Sequence, residues 1–201
     1  GYKYSFEFDR LWRKNRQNFG NCFGVDLNRN YPIMWNTSAT SGEPCRHNYA
    51  GPSAGSEIET QRLMKFMEQN VQKEQIKTYL ALHSFSQFIL FPAGHSSERV
   101  KNYEDLTAIG KKAAETIENL TGSIYKSGSI FETIYPSSGV SSDWAYAVHG
   151  IPITFTFELR GPRDGEHMFI LPAKEIEPTA KEAFAGIMTI VQEAAARGYY
   201  K

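Results

Sequence analysis

Glu158 closes the run Ile153-Thr154-Phe155-Thr156-Phe157, whose β-branched and aromatic residues predict a buried strand. A carboxylate at the end of such a strand is partly withdrawn from water, which raises its pKa and suits it to general-base work. The plainer alternative is a structural ion pair with Arg160. His83 stands at the end of a second apolar run, Lys77 to Leu82, and reads either as a hydrogen-bonded structural imidazole or as a metal ligand. Asn28-Arg29-Asn30 follows Gly24-Val25-Asp26 in a polar stretch. A guanidinium beside an amide can clamp a carboxylate through matched hydrogen bonds, or it can be a solvated loop.

Gly51-Pro52-Ser53-Ala54-Gly55 spells the G-x-S-x-G elbow of serine hydrolases, and Asp143 and His149 follow Ser53 in triad order. The elbow needs a buried strand before it, and Arg46-His47-Asn48-Tyr49-Ala50 has no such pattern. Asp143 and His149 also stand too close in sequence to arrive from separate loops. A loop running into a helix cap accounts for the glycines, so Ser53 is a remote third candidate.

The elements that must position these groups follow from periodicity. The first fifty residues read as loops around short strands. The capping box Ser56-Glu57-Ile58-Glu59 opens a helix to about Asn70, with Ile58, Leu63, Phe66 and Met67 as its apolar residues. Lys77–Leu82 and Phe88–Phe91 read as strands. Tyr103–Leu120 reads as an amphipathic helix carrying Leu106, Ile109, Ala113, Ala114 and Ile117, stopped near Gly122. After a strand over Ile151–Glu158, a long helix tolerates Pro178 in its first turn and ends at Gly198. It places Ile187, Ile190, Val191 and Ala194 on one face. Strands alternating with helices predict an α/β layered fold, read as one continuous domain over residues 1–201. Such folds gather chemistry at strand ends, where His83 and Glu158 stand.

A chain of 201 residues has room for one full core, and 41% hydrophobic with 22% charged residues excludes a disordered scaffold. Lys+Arg 22 against Asp+Glu 22 leaves no basic stripe for nucleic acid or an anionic membrane. No apolar run approaches a spanning helix, and the first residues carry no signal-peptide core. Cys22 and Cys45 form no C-x-x-C pair; a disulfide between them would contribute about 3 kcal/mol in the chain-entropy model. The sequons Asn36-Thr37-Ser38 and Asn119-Leu120-Thr121 also fit a secreted protein.

Taken in chain order, these segments resemble the secreted zinc metallocarboxypeptidases of the carboxypeptidase A/B family. The matching motifs are Arg10-Leu11-Trp12-Arg13-Lys14, Gly24-Val25-Asp26-Leu27-Asn28-Arg29-Asn30 and Leu82-His83-Ser84-Phe85-Ser86-Gln87. Ile134-Tyr135-Pro136-Ser137-Ser138-Gly139, Asp143-Trp144 and Phe155-Thr156-Phe157-Glu158-Leu159-Arg160 follow. The resemblance implies a mixed parallel and antiparallel sheet flanked by helices on both faces. It implies that His83 is a Zn2+ ligand, Glu158 the general base and Arg13 the cation facing the developing oxyanion. Asn28, Arg29 and Tyr135 would grip the substrate's free C-terminal carboxylate, and Asp26 would orient a zinc-ligand imidazole. Cys22 and Cys45 fall where the family has a disulfide.

The departures carry information too. The family takes two further zinc ligands from an H-x-x-E motif, and none occurs in these 201 residues. The resemblance then makes the chain the C-terminal two-thirds or so of a peptidase catalytic domain. The remaining N-terminal part is a necessary partner, and the chain alone is expected not to hold zinc in the family manner. His47, His95, His149 and His167 match no family ligand. Ser142 falls at the position that sets specificity; being neutral, it disfavours basic substrates, whose charge would lack a counter-charge. Ile130 and Thr156 line the same pocket, and Phe85 replaces a family Tyr in the outer subsites. The implied function is a secreted, extracellular zinc exopeptidase removing aromatic or aliphatic C-terminal residues. It would be made as a zymogen and be open to a propeptide or protein inhibitor. The alternative of another class is a non-catalytic relative that binds peptide C-termini, for which Glu158 would have no chemical use.

Overall fold

The computed structural model describes residues 1–71, 76–161 and 169–201. A short helix, α1 (Tyr2–Glu7), leads to a hairpin of β1 (Asn18–Phe19) and β2 (Cys22–Phe23), then a single 3-10 turn over Leu27–Arg29. Next come α2 (Ile58–Val71), β3 (Thr78–Ser84) and β4 (Phe88–Phe91). They are followed by α3 (Tyr103–Thr121), β5 (Lys126–Ser129), α4 (Ile130–Thr133), α5 (Ser141–His149) and β6 (Ile153–Leu159). A 3-10 turn over Ala173–Glu175 feeds the last helix, α6 (Ile176–Ala196).

Among the described residues the main sheet runs β3-β6-β4-β5. β3 and β6 are parallel, β6 and β4 antiparallel, β4 and β5 parallel, the mixed sheet that the resemblance implies. Alternation along β6 sends Ile153, Phe155 and Phe157 to one face and Thr154, Thr156 and Glu158 to the other. The first face meets Leu106, Ile109, Ala113 and Ile117 of α3 and Ile190 and Ala194 of α6. Burial of each large side chain there contributes roughly 2–3 kcal/mol. On the second face Met67 of α2 and Trp144 and Ala145 of α5 pack with Tyr31, Ile151 and the half-buried Tyr79 of β3. Helices therefore cover both faces.

α3 matches its sequence pattern closely: its buried residues include all five expected ones, and Gly122 ends it in the left-handed region at φ 74°. α2 does not follow its expected start. The helix begins at Ile58, because the Ser56 hydroxyl is engaged by Asn30 Nδ2 and by Glu57 Oε1. Ile58 and Phe66 are exposed, leaving Met67 as the buried anchor of that helix. α1, β5, α4 and α5 have no counterpart in the sequence reading. β5 is Lys-Ser-Gly-Ser, a strand by pairing with β4 and not by propensity.

The Cys22–Cys45 disulfide forms, with Cα atoms 5.0 Å apart, and ties β2 to the loop before Tyr49. Arg16 lies over the rings of Tyr4, Trp12 and Phe23 at 3.8, 4.4 and 4.4 Å, pinning α1 against that hairpin.

Candidate active site

The parallel register of β3 and β6 pairs His83 with Glu158 across the strands. Their side chains point to the same face, with His83 Nδ1 3.7 Å from Glu158 Oε1. Burial pushes the Glu158 carboxyl up to about 7, and the nearby Arg13 and Arg29 guanidiniums only partly pull it back. Burial also lowers the His83 imidazole, with Arg13 adding to the effect and Asp26 opposing it. The result is a neutral imidazole with a free lone pair beside a carboxyl poised near neutrality. Arg160 does not pair with Glu158. It turns to Glu182, at 2.5 and 3.0 Å, and to Glu175, at 2.6 Å.

Asp26 organises the second half of the site. Its Oδ1 accepts from Asn28 N at 3.1 Å, capping the 3-10 turn that presents Asn28 and Arg29. Its Oδ2 accepts from Arg13 Nε at 2.8 Å, which fixes that guanidinium. Arg29 is held by Ala39 O at 3.0 Å and Asn28 O at 2.7 Å, and its Nη2 lies 3.4 Å from the Tyr135 hydroxyl. Asn28 Oδ1 accepts from Ser141 N, so the turn is joined to the start of α5. Gly139 makes the close approach possible: its φ is +65°, and a Cβ there would sit 2.3 Å from Arg29 O.

These groups border two connected spaces. An open groove of about 790 Å3 is lined by Arg10, Trp12, Arg13, Arg29, Tyr135 and Phe169, among others. A smaller cavity of about 50 Å3 shares Arg29 and Tyr135 with it and is lined also by Asn28, His83 and Glu158. Ile130, Ser142 and Thr156 line that cavity, together with Ser137, which the sequence reading did not single out for the pocket. Phe85 reaches the groove only through Phe169, against which its ring packs edge-on with centroids 4.9 Å apart.

The serine-hydrolase alternative does not assemble. Ser53 is exposed in a turn with no strand before it. Asp143 and His149 occupy opposite ends of the single helix α5. The buried Asp143 carboxylate accepts from Gly94 N, His95 N and His95 Nδ1, the last at 2.6 Å. A helix was legible there: Asp143 suits a first turn and Gly150, at φ 64°, closes the last one. Of the remaining histidines, His47 lines the groove, and His167 lies outside the described residues.

Among the described residues no group of three His, Cys, Asp or Glu side chains could hold a metal ion. His83 offers one imidazole with Glu158 beside it at 3.7 Å, and Arg13, Asp26 and Arg29 act on it electrostatically. The residues present fit one corner of a zinc site and do not make a whole one.

The mixed sheet thus brings a His–Glu pair at parallel strand ends beside an arginine–amide turn. The chain belongs to the zinc carboxypeptidase family, whose profile matches residues 1–186. It is 45% identical over 202 residues to a zinc carboxypeptidase of Simulium vittatum, covering all of this chain and 66% of that one. It is 40% identical over 201 residues to zinc carboxypeptidase A 1 of Anopheles gambiae, covering 100% of this chain and 46% of that protein. Among solved structures, bovine thrombin-activatable fibrinolysis inhibitor in complex with tick carboxypeptidase inhibitor superposes with a TM-score of 0.91 at 36% identity, over 98% of this chain and 66% of that one. Carboxypeptidase A from Helicoverpa armigera gives 0.89 at 32% identity, over 98% and 49%. The chain thus spans roughly half to two-thirds of the length of these relatives.

Proposed function

We propose that this chain is the part of a zinc carboxypeptidase that carries the proton-transfer base, the carboxylate clamp and the side-chain pocket. The whole protein would remove single residues from peptide C-termini. One observation carries the reading: Glu158, partly buried and held near neutrality, lines the same small cavity as Asn28, Arg29 and Tyr135. Arg29, with Asn28 and Tyr135, grips the free carboxylate of the substrate. An internal peptide bond has no carboxylate to offer there, so the clamp makes the enzyme an exopeptidase. Glu158 takes the proton of the attacking water and delivers it to the leaving amine. Arg13, fixed by Asp26, faces the oxygen on which charge develops. Asp26 acts through Arg13 and the turn at Asn28 as a positioning residue.

His83 would be one zinc ligand, completed by ligands from outside these 201 residues. When bound, such a metal polarises a carbonyl and acidifies water. The side-chain class is neutral, the A-type preference for aromatic and aliphatic residues. Glu158 apart, no acid among the described residues lines the cavity, and Asp143, the nearest buried carboxylate in sequence to Ser142, spends its oxygens on Gly94 and His95. A Lys or Arg head would enter without a partner. The disulfide supports secretion into an oxidising compartment. The complex formed by the fibrinolysis-inhibitor relative supports a protein inhibitor as a partner of the groove. No helix among the described residues is long and apolar enough to cross a membrane.

The test is hydrolysis of N-benzoyl-glycyl-phenylalanine by the full-length protein with zinc. Turnover that a chelator abolishes, that zinc restores, and that vanishes when the C-terminus is amidated supports the reading. Binding without turnover under added zinc would replace it with the non-catalytic alternative.

A further inference from the structure

The cavity beside Glu158 is not a plain apolar slot. Ser137, Ser142 and Thr156 line it, and their exposures are 3%, 2% and 7%, so all three are more than nine-tenths buried. The hydroxyls of these three side chains make no hydrogen bond to protein among the described residues, in contrast to Ser138, whose hydroxyl meets Thr37 N, Ser38 N and Ser38 O. Among the described residues the fully buried side-chain atoms without a partner lie elsewhere, at Thr60, Thr107 and His149, so these three hydroxyls are open to the cavity, where water or a ligand pairs them. The opposing walls are aliphatic, from Leu90, Ile130 and Ile134.

Local packing holds the Ser137 hydroxyl in place. Ser137 N donates to Gly94 O at 2.9 Å, and a Cβ on Gly94 would lie 2.8 Å from Ser137 Oγ and 2.9 Å from Ile130 Cγ2. Only a glycine leaves Ser137 and Ile130 where they are. Ser142 is fixed by the first turn of α5, whose neighbour Asp143 is anchored to Gly94 N. At about 50 Å3 the cavity accepts a few heavy atoms, the size of a medium side chain.

We propose that this cavity keeps the neutral class but departs from a plain aliphatic preference: among C-terminal residues of equal size it selects the one that ends in a hydrogen-bonding group, Gln over Met and Asn over Leu. The aliphatic walls hold the methylenes, and the amide recovers the hydrogen bonds that Ser137, Ser142 and Thr156 lose when water is expelled. An apolar isostere of the same volume leaves those hydroxyls desolvated and unpaired, a loss worth about tenfold in discrimination for the set. Ser137 is then a specificity residue alongside Ser142.

This inference rests on the exopeptidase reading, and its test separates the two. The full-length zinc-loaded protein is given N-benzoyl-glycyl-Gln and N-benzoyl-glycyl-Met in competition. A kcat/KM ratio of about ten in favour of Gln is expected, falling towards one in Ser137→Ala and Ser142→Ala and inverting in the double variant. Met preferred by the unaltered protein, or a ratio indifferent to both substitutions, overturns the inference while leaving the exopeptidase intact. Failure to hydrolyse any such substrate removes the exopeptidase reading instead. The pocket is then judged by calorimetric binding of acetyl-glycyl-Gln and acetyl-glycyl-Met to the same protein. Tighter binding of the Gln peptide, lost in the double variant, sustains the inference; equal or weaker binding overturns it.

Discussion

Glu158 and Glu182 are both glutamates withdrawn from water near the end of β6, and their surroundings treat them oppositely. Glu182 accepts from Arg160 twice, from Ser123 Oγ at 2.5 Å, from Thr121 Oγ1 at 2.8 Å and from the Tyr125 hydroxyl at 3.3 Å. Burial pushes its pKa up, but Arg160 and the Ser123 and Thr121 hydroxyls outweigh that and hold it below the usual carboxylate value. Glu158 has cations in its neighbourhood, yet Arg13 is committed to Asp26, and Arg29 to two carbonyls and Tyr135. Burial therefore wins, and the carboxyl stands at about 7. Burial does not distinguish a working acid from a structural one. The supply of uncommitted donors does.

That contrast can be broken by substitution. Glu158→Gln in the zinc-loaded protein is expected to lower turnover roughly 10³-fold with little change in C-terminal binding, measured by steady-state kinetics and calorimetry. Glu182→Ala should leave Arg160 buried without its main partner. It is expected to cost roughly 3–5 kcal/mol in urea unfolding, with the activity of whatever remains folded unaltered. Arg29→Ala removes charge-assisted hydrogen bonds to the substrate carboxylate. It should raise KM for free C-termini roughly 30-fold while sparing the fold.

A smaller effect sharpens the comparison through pH. Glu182 has a depressed folded pKa, so its contribution is present above the unfolded value of 4.5 and is lost as pH falls through the folded value. Glu158 has a raised folded pKa, so in zinc-free protein its carboxyl weakens the fold as pH rises from 4.5 to about 7, and no further beyond that. Melting curves of zinc-free Glu158→Gln and the unaltered protein should therefore converge at pH 4 and diverge by pH 8, with the variant the more stable. Curves that stay parallel across that range would remove the contrast.

The sequence made the strand that leads to Glu158 legible, because its β-branched and aromatic run leaves one reading for Ile153–Phe157, all five of which are buried. α3 was equally legible, its apolar stripe and Gly122 agreeing with each other. The motifs around Arg13, Asn28-Arg29 and Tyr135 named the site residues through resemblance alone. Nothing in their local pattern shows that a 3-10 turn capped by Asp26 brings them to the strand ends. β5 was hidden because its Lys-Ser-Gly-Ser sequence becomes a strand only through β4. The partner of Arg160 was hidden as well. Glu182 lies on α6, and only the packing of that helix over the sheet shows why Arg160 turns away from Glu158.

The central claim is that Glu158 is a partly buried carboxyl left without a committed donor and so is available to move a proton. Carbon NMR of labelled glutamate in the zinc-free protein, assigned by the loss of one signal in Glu158→Gln, measures this directly. The account predicts a carboxyl that stays protonated through pH 5 and titrates near 7. Ionisation at an ordinary 4.5 or below would contradict it and place Glu158 with Glu182 among the structural carboxylates.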